Sequence, residues 1–409
     1  MSSLTWLDQS EADRKRALDF VDTFREVGTR DELGIGVIRD AFSDLMFPGT
    51  STLQTRARYF LFVPWSFQQL ERYASRNKAR TATDVSRRSR EVEAELMTAL
   101  KKGDDNEGML GREAGAALKQ LPSQIYWPGT AIWGIRRYPG SRSQLHRDIA
   151  RWAQSSASAE LADDDAPTRP ASSPYWHDGL PPAPQSFPEG AGFSLTRQEA
   201  QYLRDRVLAC ANDSLLARML TMDTDLKGTN APWEHPRFAE FSEVHREQLR
   251  QARIFAVVIR GAIVLYNLML AEKKDERFGS SEDLIQDYEA HLDTWASDMR
   301  ELAPLLDGWS PRQIWRLIGD RARLAPRTVL FTESWCDAAL GNTKDIARSD
   351  AARQLIASRE IVLKGSLSRI HNPQALAMWN EAAGMTPITY RWNTVRQMVD
   401  DIVAGLERA

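Results

Sequence analysis

The sequence predicts a mainly α-helical protein with many helices, arranged in two helical lobes with few short strands. Apolar residues recur at spacings of three and four along most of the chain, which is the pattern of amphipathic helices. No series of strands alternating with helices occurs, which argues against a doubly wound sheet. Hydrophobic residues make up 42% of the 409 residues and include 13 tryptophans, enough to bury a large core.

The N-terminal half contains several helical stretches followed by a region of shorter helices. Residues 10–28 begin with capping side chains and end at a glycine, and residues 37–46 present one apolar face. Residues 59–65 could form a strand or a helix, and a helix is favoured because no companion strand lies nearby. Residues 85–102 predict a strongly charged helix. Residues 107–151 predict two or three short helices, compatible with a helix-turn-helix-like module in the N-terminal lobe.

A stretch rich in Ser, Asp and Pro interrupts the helical pattern at residues 153–193. Such a stretch without periodicity is either a linker or a strap that crosses a surface. It places the domain boundary between a basic, aromatic-rich helical N-terminal domain, residues 1–152, and a helical C-terminal domain, residues 194–409. The aromatic residues that favour a strap for its second half are Trp176, Phe187 and Phe193.

The C-terminal half predicts a longer series of helices. Thr196 followed by Glu199 is a capping-box signal, and Ser310 before Pro311 is a second helix start. Residues 387–392 could supply one short strand. Helices are predicted at about residues 197–210, 213–222, 239–275, 281–303, 311–323, 326–340, 346–360 and 393–408.

The cysteine content and the apolar segments predict a cytoplasmic protein that does not enter a membrane. Cys210 and Cys336 are the two cysteines, which suggests a reducing compartment. The N-terminus lacks the basic and apolar regions of a signal peptide. The most apolar segment, residues 254–271, is interrupted by Arg260, so a buried soluble helix is the simpler interpretation.

The motifs of common enzyme classes are missing from the sequence. It contains no Walker A loop, no Gly-x-Ser-x-Gly elbow and no Cys-x-x-Cys pair. No two of the six histidines share a helix face at a spacing of three or four, so no metal site is predicted. We therefore predict no catalytic residue and no cofactor, and a binding protein is favoured over an enzyme. A metal-dependent nuclease with dispersed carboxylates remains an alternative.

Basic residues are concentrated in one region of the chain. Residues 56–151 contain 18 basic and 10 acidic side chains, a net formal charge of +8, so the remainder carries −11. Arginine supplies eight of the nine basic residues between positions 56 and 90. Because guanidinium groups form forked hydrogen bonds to phosphate oxygens, this composition favours an anionic backbone as partner. Nearby aromatic rings could stack on exposed bases.

Three interpretations of these arginines stay open at this point. They could bind nucleic acid, with DNA favoured, they could form salt bridges inside the protein, or they could contact a protein partner. The predicted nucleic-acid-binding residues are Arg56, Arg58, Arg76, Arg80, Arg87, Arg88, Arg90, Arg136, Arg137 and Arg142.

Several short strings resemble an uncharacterised bacterial family of about this length, catalogued as a domain of unknown function. They are TWLD at residues 5–8, RDELG at 30–34, FPGTST through RARYF at 47–60, IYW at 125–127, WGIR at 133–136 and YNLMLAE at 266–272. The resemblance spans the whole chain and implies no established activity. It does imply a genomic context, because such proteins look similar to ones encoded among anti-phage defence genes.

The resemblance and the charge pattern together predict a non-catalytic accessory or scaffolding subunit of a bacterial anti-phage defence system. Its expected partners are nucleic acid and other defence proteins, such as a helicase or a nuclease. A pure protein–protein adaptor without nucleic-acid contact is the main alternative.

Overall fold

The computed structural model describes residues 31–77, 81–103, 105–112, 120–159, 173–222, 224–279, 281–319 and 321–408. Within these residues every extended regular element is a helix, and the one β-type pairing is an isolated antiparallel bridge between Arg136 and Trp176. The mainly α-helical prediction is confirmed. No strand forms at residues 387–392, and the helix predicted at residues 10–28 lies outside the described residues.

The helices agree closely with the periodicity of the sequence. Residues 59–65, for which helix and strand were both open, form the start of a helix. In chain order the helices are α1 Gly36–Met46, α2 Tyr59–Asn77, α3 Ala82–Lys102, α4 Pro122–Ile132, α5 Arg142–Ala159, α6 Arg197–Cys210, α7 Leu215–Met219, α8 Glu243–Phe278, α9 Glu282–Leu306, α10 Arg312–Ile318, α11 Pro326–Gly341, α12 Asp350–Lys364, α13 Pro373–Ala377 and α14 Trp392–Glu407.

The chain divides into two compact units, each assembled from two separate parts of the sequence. The first unit comprises Met1–Phe42 and Glu247–Ile388, and the second comprises Ser43–Arg246 and Thr389–Ala409. The stretch predicted as a linker, residues 153–193, has two described parts. Residues 153–159 continue helix α5, and residues 173–193 pack inside the second unit instead of separating two domains. Its three aromatic side chains are buried there: Trp176, Phe187 and Phe193.

The first unit is built around α8, the longest helix. By length and composition α8 could cross a membrane, but 83% of its most apolar window is buried in the protein, as in a core helix. Gly261 allows α9 to approach α8 closely, because a Cβ atom at this position would lie 2.4 Å from the indole of Trp295. The segment predicted to be a buried helix is therefore one.

The second unit has an aromatic core centred on α2, which packs against α3, α4 and α5. The rings of Phe60 and Trp133 stack with their centroids 3.8 Å apart, and Tyr126 meets Phe60 edge-on at 5.0 Å. Tyr126 also ties the chain before α2, because its hydroxyl accepts from the backbone N–H of Thr55 at 2.8 Å. The rings of Phe60, Tyr126 and Trp133 thus belong to the core and are not available for bases to stack on.

The helix-turn-helix-like module is not found at α4 and α5. Residues 133–141 separate these helices, a connection of nine residues. A helix-turn-helix joins its helices by a turn of three or four residues. The longer connection arises because Ile135 is buried and Arg136 pairs with Trp176, so these residues pack against the unit before α5 begins.

Two buried histidines should make the second unit less stable in mild acid. The ring of His146 stacks on Phe67 at 5.6 Å, and its Nε2 finds no hydrogen-bond partner in the described part of the chain. Burial, and then the charge of Arg142, lower the pKa of His146 to about 4. Burial, and then Arg237, lower the pKa of His235 to about 4 as well. Because both folded-state pKa values lie below the unfolded value, the unfolded chain binds more protons between pH 4 and about 6.5.

We expect each histidine to reduce the free energy of unfolding by about 2 kcal/mol when the pH falls from 7 to 5. The variant His146→Phe keeps the stacking on Phe67 but cannot take up a proton. Its urea-unfolding free energy should therefore fall about 2 kcal/mol less than that of the wild type over the same pH interval. Parallel pH profiles for the two proteins would contradict this role of His146.

Candidate functional site

The hairpin formed by α2 and α3 concentrates positive charge at the end where the two helices are joined. Residues 72–90 contain seven basic side chains and one acidic side chain, a net formal charge of +6. We call these residues the basic tip. Thr81 begins α3, because its hydroxyl accepts from the backbone N–H of Asp84 at 3.1 Å. Since the two helices pack together, the arginines on their joined ends lie close to one another. Lys78 and Arg80 lie outside the described residues.

Three arginines of the basic tip are exposed and form no direct ion pair with the described residues, although the charge of Arg90 acts on the buried carboxylate of Glu93. Arg72, Arg76 and Arg90 face solvent, and none of them forms an ion pair with a carboxylate in the part of the chain that the structure describes. Arg72 donates one hydrogen bond, to the backbone carbonyl of Gln68 at 3.2 Å. These three guanidinium groups therefore have most of their donors available to an anion from solution.

Two further arginines of the tip pair with acidic residues on their own helix. Arg87 is 61% exposed and lies 3.1 Å from Glu91, a contact of the kind that contributes little in water. Arg88 bonds to Glu95 at 2.7 Å and lies 5.6 Å over the ring of Tyr73. Arg87 can exchange its partner for a phosphate at little cost, whereas Arg88 also connects α3 to α2.

Arg56 and Arg58 belong to the interior of the second unit. Arg56 is 8% exposed and lies 3.0 Å from both Asp401 and Asp105. Burial alone would lower the pKa of Arg56, but hydrogen bonds from its guanidinium to the two carboxylates outweigh burial and raise it. Arg58 lies 2.8 Å from Glu199. Their neighbours in sequence are apolar and drive both side chains inward, so neither contributes to a water-facing surface.

The three arginines around the start of α5 serve different local contacts. Arg136 donates to backbone carbonyls and lies 4.3 Å over the ring of Trp127, and burial lowers its pKa. Arg137 is exposed and pairs with Asp178 at 2.8 Å. Arg142 donates to the hydroxyl of Ser123 at 2.6 Å, and burial lowers its pKa too. Of the predicted arginines that the structure describes, Arg76, Arg87 and Arg90 are thus exposed at the basic tip and Arg137 is exposed outside it. The others are engaged in structural contacts.

A polar cleft of about 920 Å³ lies beside the basic tip. One wall is a face of α2 that carries Gln68, Arg72 and Arg76, spaced by four residues so that they share one side of the helix. The other wall is formed by residues of the segment 173–187. Arg76 is among the arginines predicted from the sequence, whereas Arg72 and the cleft were not predicted. The spacing of four could have indicated the shared face, but only the fold shows which segment lies opposite it.

Within the described residues, the structure holds no cluster of three or more His, Cys, Asp or Glu side chains that could bind a metal ion. Cys210 is exposed and Cys336 is buried, and both are free thiols. Burial raises the pKa of Cys336 to about 12, so this thiol stays protonated at neutral pH.

Fold and site together define a multi-helical protein with a polar cleft beside a strongly basic helical hairpin. The chain belongs to a family of unknown function, DUF6361, whose sequence profile matches residues 1–405. The resemblance to an uncharacterised family that spans the whole chain is thereby confirmed. No curated protein and no solved structure shows significant similarity to the chain.

Proposed function

We propose that this chain is a non-catalytic accessory subunit that binds nucleic acid, with DNA favoured, through the phosphate backbone. The observation that carries the proposal is the net charge of +6 on the basic tip, where Arg72, Arg76 and Arg90 are exposed without acidic partners in the described chain. A cluster of exposed guanidinium groups at one end of a hairpin suits a row of phosphates.

The burial of several aromatic residues of this region favours binding that is independent of base sequence. Trp65, Tyr126 and Trp133 are fully buried, so they are not available to stack on bases. Affinity would then come from charge neutralisation and the release of counterions, which makes it strongly dependent on salt.

The proposed setting is a bacterial cytoplasm, in a complex with other defence proteins such as a helicase or a nuclease. This setting rests on the family resemblance, and the exposed basic tip is consistent with it. A subunit that holds nucleic acid without reading its sequence would suit partners that act on DNA of any sequence.

Replacing Arg87 and Arg90 with glutamine should weaken binding to a duplex DNA between about tenfold and a hundredfold near 0.1 M salt. Each lost phosphate contact should reduce the slope of log affinity against log salt by about 0.9. Fluorescence anisotropy with a labelled duplex at 50, 100 and 200 mM salt measures both quantities. The control Arg147→Gln with Arg197→Gln removes the same charge at exposed positions outside the basic tip and should change affinity little.

Three outcomes would contradict the proposal, and two of them would indicate another function. Absence of DNA and RNA binding at 50 mM salt would exclude phosphate-backbone recognition. Co-purification with a protein that survives nuclease treatment and is lost in the tip variant would indicate a protein–protein adaptor. Metal-dependent degradation of the probe would indicate a nuclease.

A further inference from the structure

We infer that the cleft between α2 and the segment 173–187 binds a single nucleotide by its phosphate. The nucleotide is either free or the 5′-phosphorylated end of a strand, and the strand form rests on the proposed function. The free form does not depend on it. Both sources present the same chemistry, a phosphate dianion attached to a sugar and a base.

The α2 wall of the cleft provides the donors for the phosphate. Arg72 and Arg76 lie four residues apart, so their side chains are neighbours on one face of the helix. Gln68, one turn earlier on the same face, adds an amide group. The two guanidinium groups and the amide can together donate several hydrogen bonds to a phosphate at this wall.

The two carboxylates of the cleft offset these positive charges only in part, because the charge of Asp178 is balanced by Arg137 and that of Glu71 stands against two arginines. Glu71 is buried, and its carboxylate accepts from the hydroxyl of Ser173 at 3.0 Å and from the indole N–H of Trp176 at 3.3 Å. Asp178 pairs with Arg137 at 2.8 Å. Arg72 and Arg76 have no such partner in the described chain, which leaves the α2 wall attractive to an anion.

The opposite wall contains an apolar stretch whose prolines restrict its conformation. It includes Leu180, Pro182, Ala183 and Pro184. A sugar and a base could lie against these side chains while the phosphate faces the arginines. Ligand sites commonly combine such an apolar lining with a few convergent polar groups, within volumes of about 300–1,000 Å³. The volume of about 920 Å³ falls in this range.

Hydrogen bonds between α2 and the opposite wall hold the shape of the cleft at several points. Trp65 donates its indole N–H to the carbonyl of Pro181 at 2.8 Å. Gln69 donates to the carbonyl of Phe187 at 2.6 Å. Glu71 accepts from Trp176, as described above. All three groups lie on α2, so the opposite wall is held in place before a nucleotide binds. Binding therefore does not have to include the entropy cost of ordering this wall.

Isothermal titration of the full chain with AMP, and separately with inorganic phosphate, tests the site directly. AMP should bind at least about tenfold more tightly than phosphate, because only AMP also contacts the apolar wall. Arg72→Gln should weaken AMP binding about tenfold or more, since it removes a charge-assisted contact. Ala183→Trp fills the cleft without changing charge and should abolish AMP binding. Arg147→Gln is the control that should bind AMP normally, and circular dichroism checks that each variant is folded.

The strand form is tested with two single-stranded oligonucleotides that differ only in a 5′-phosphate or a 5′-hydroxyl. The wild type should favour the phosphorylated strand about tenfold, and Arg72→Gln and Ala183→Trp should lose this preference. The double variant Arg87→Gln with Arg90→Gln should weaken the binding of both strands and keep the preference for the 5′-phosphate. The experiment therefore distinguishes a wrong proposed function from a wrong assignment of the cleft. Equal affinity of AMP and phosphate, or no AMP binding in a folded wild type, would overturn the inference.

Discussion

Replacing Asp401 with alanine should lower the free energy of unfolding by about 3–5 kcal/mol, as expected when one partner of a buried ion pair is removed. The Asp401 carboxylate accepts from Nε of Arg56 at 3.0 Å and from the backbone N–H of Ala57 at 2.9 Å. The variant leaves the guanidinium of Arg56 in the interior with Asp105 as its remaining carboxylate. Urea denaturation of the full chain, followed by tryptophan fluorescence, measures the loss.

Asp105→Ala is the matched control, because it removes the other carboxylate from the same guanidinium. The Asp105 side chain is 46% exposed, so its contact is screened by water and should contribute about 1 kcal/mol or less. The double variant Arg56→Met with Asp401→Leu removes both charges and should recover much of the loss, because apolar residues of similar volume can replace a buried pair. Equal losses for the two aspartate variants would show that burial does not distinguish them.

Replacing Glu360 with alanine should destabilise the first unit by a similar amount, about 3–5 kcal/mol. Glu360 is fully buried on α12, and its carboxylate accepts hydrogen bonds from five donor groups. Without it, Glu32 would be the one carboxylate left to Lys364 and Arg369 within the described residues. The donors to Glu360 are the hydroxyls of Tyr266 and Ser368, the ammonium of Lys364 and the backbone N–H groups of Arg369 and Ile370.

The same group gives the first unit a defined response to acid. Burial alone would raise the pKa of Glu360, but the hydrogen bonds from Ser368 and Tyr266 and the charge of Lys364 outweigh burial and lower it. A carboxylate whose folded-state pKa is depressed contributes stability above its unfolded pKa of about 4.3 and loses it as the pH falls further. Glu360→Gln should therefore be less stable than the wild type at pH 7 and lose less stability on acidification.

Glu272→Ala serves as the control for Glu360→Ala in the same unit. Glu272 pairs with Arg353 at 2.6 Å, but both side chains are partly exposed, so its loss should cost about 1 kcal/mol or less. Thermal unfolding of the three proteins at pH 7 provides the comparison. If Glu360→Ala unfolds at the temperature of Glu272→Ala, the buried cluster contributes no more than a surface pair.

Local signals in the sequence were sufficient to predict most of the helices. Thr196 and Glu199 form the reciprocal capping box expected at the start of α6, with the Thr196 hydroxyl accepting from the Glu199 backbone N–H at 3.2 Å. The helix predicted at 197–210 matches α6 residue for residue. These signals work because capping and amphipathic spacing act between residues that are close in sequence.

The candidate site could be predicted only in part. Its residue composition is visible in one stretch of sequence, whereas its geometry depends on contacts between residues far apart in sequence. Charge and arginine content are read directly from the chain and pointed to residues 56–151. Whether each guanidinium faces water depends on partners that no local pattern reveals. Arg56 meets Asp401, and Arg58 meets Glu199, across 345 and 141 residues of sequence.

By itself, the sequence determined that this protein is helical, where most helices begin and end, and that one region is rich in arginine. The tertiary structure decided which arginines remain exposed and which segment forms the second wall of the cleft. It also decided that each compact unit joins two distant parts of the chain. The physical reason is that capping and helical periodicity act over a few residues, whereas burial, ion pairing and cleft formation depend on contacts between residues far apart in sequence.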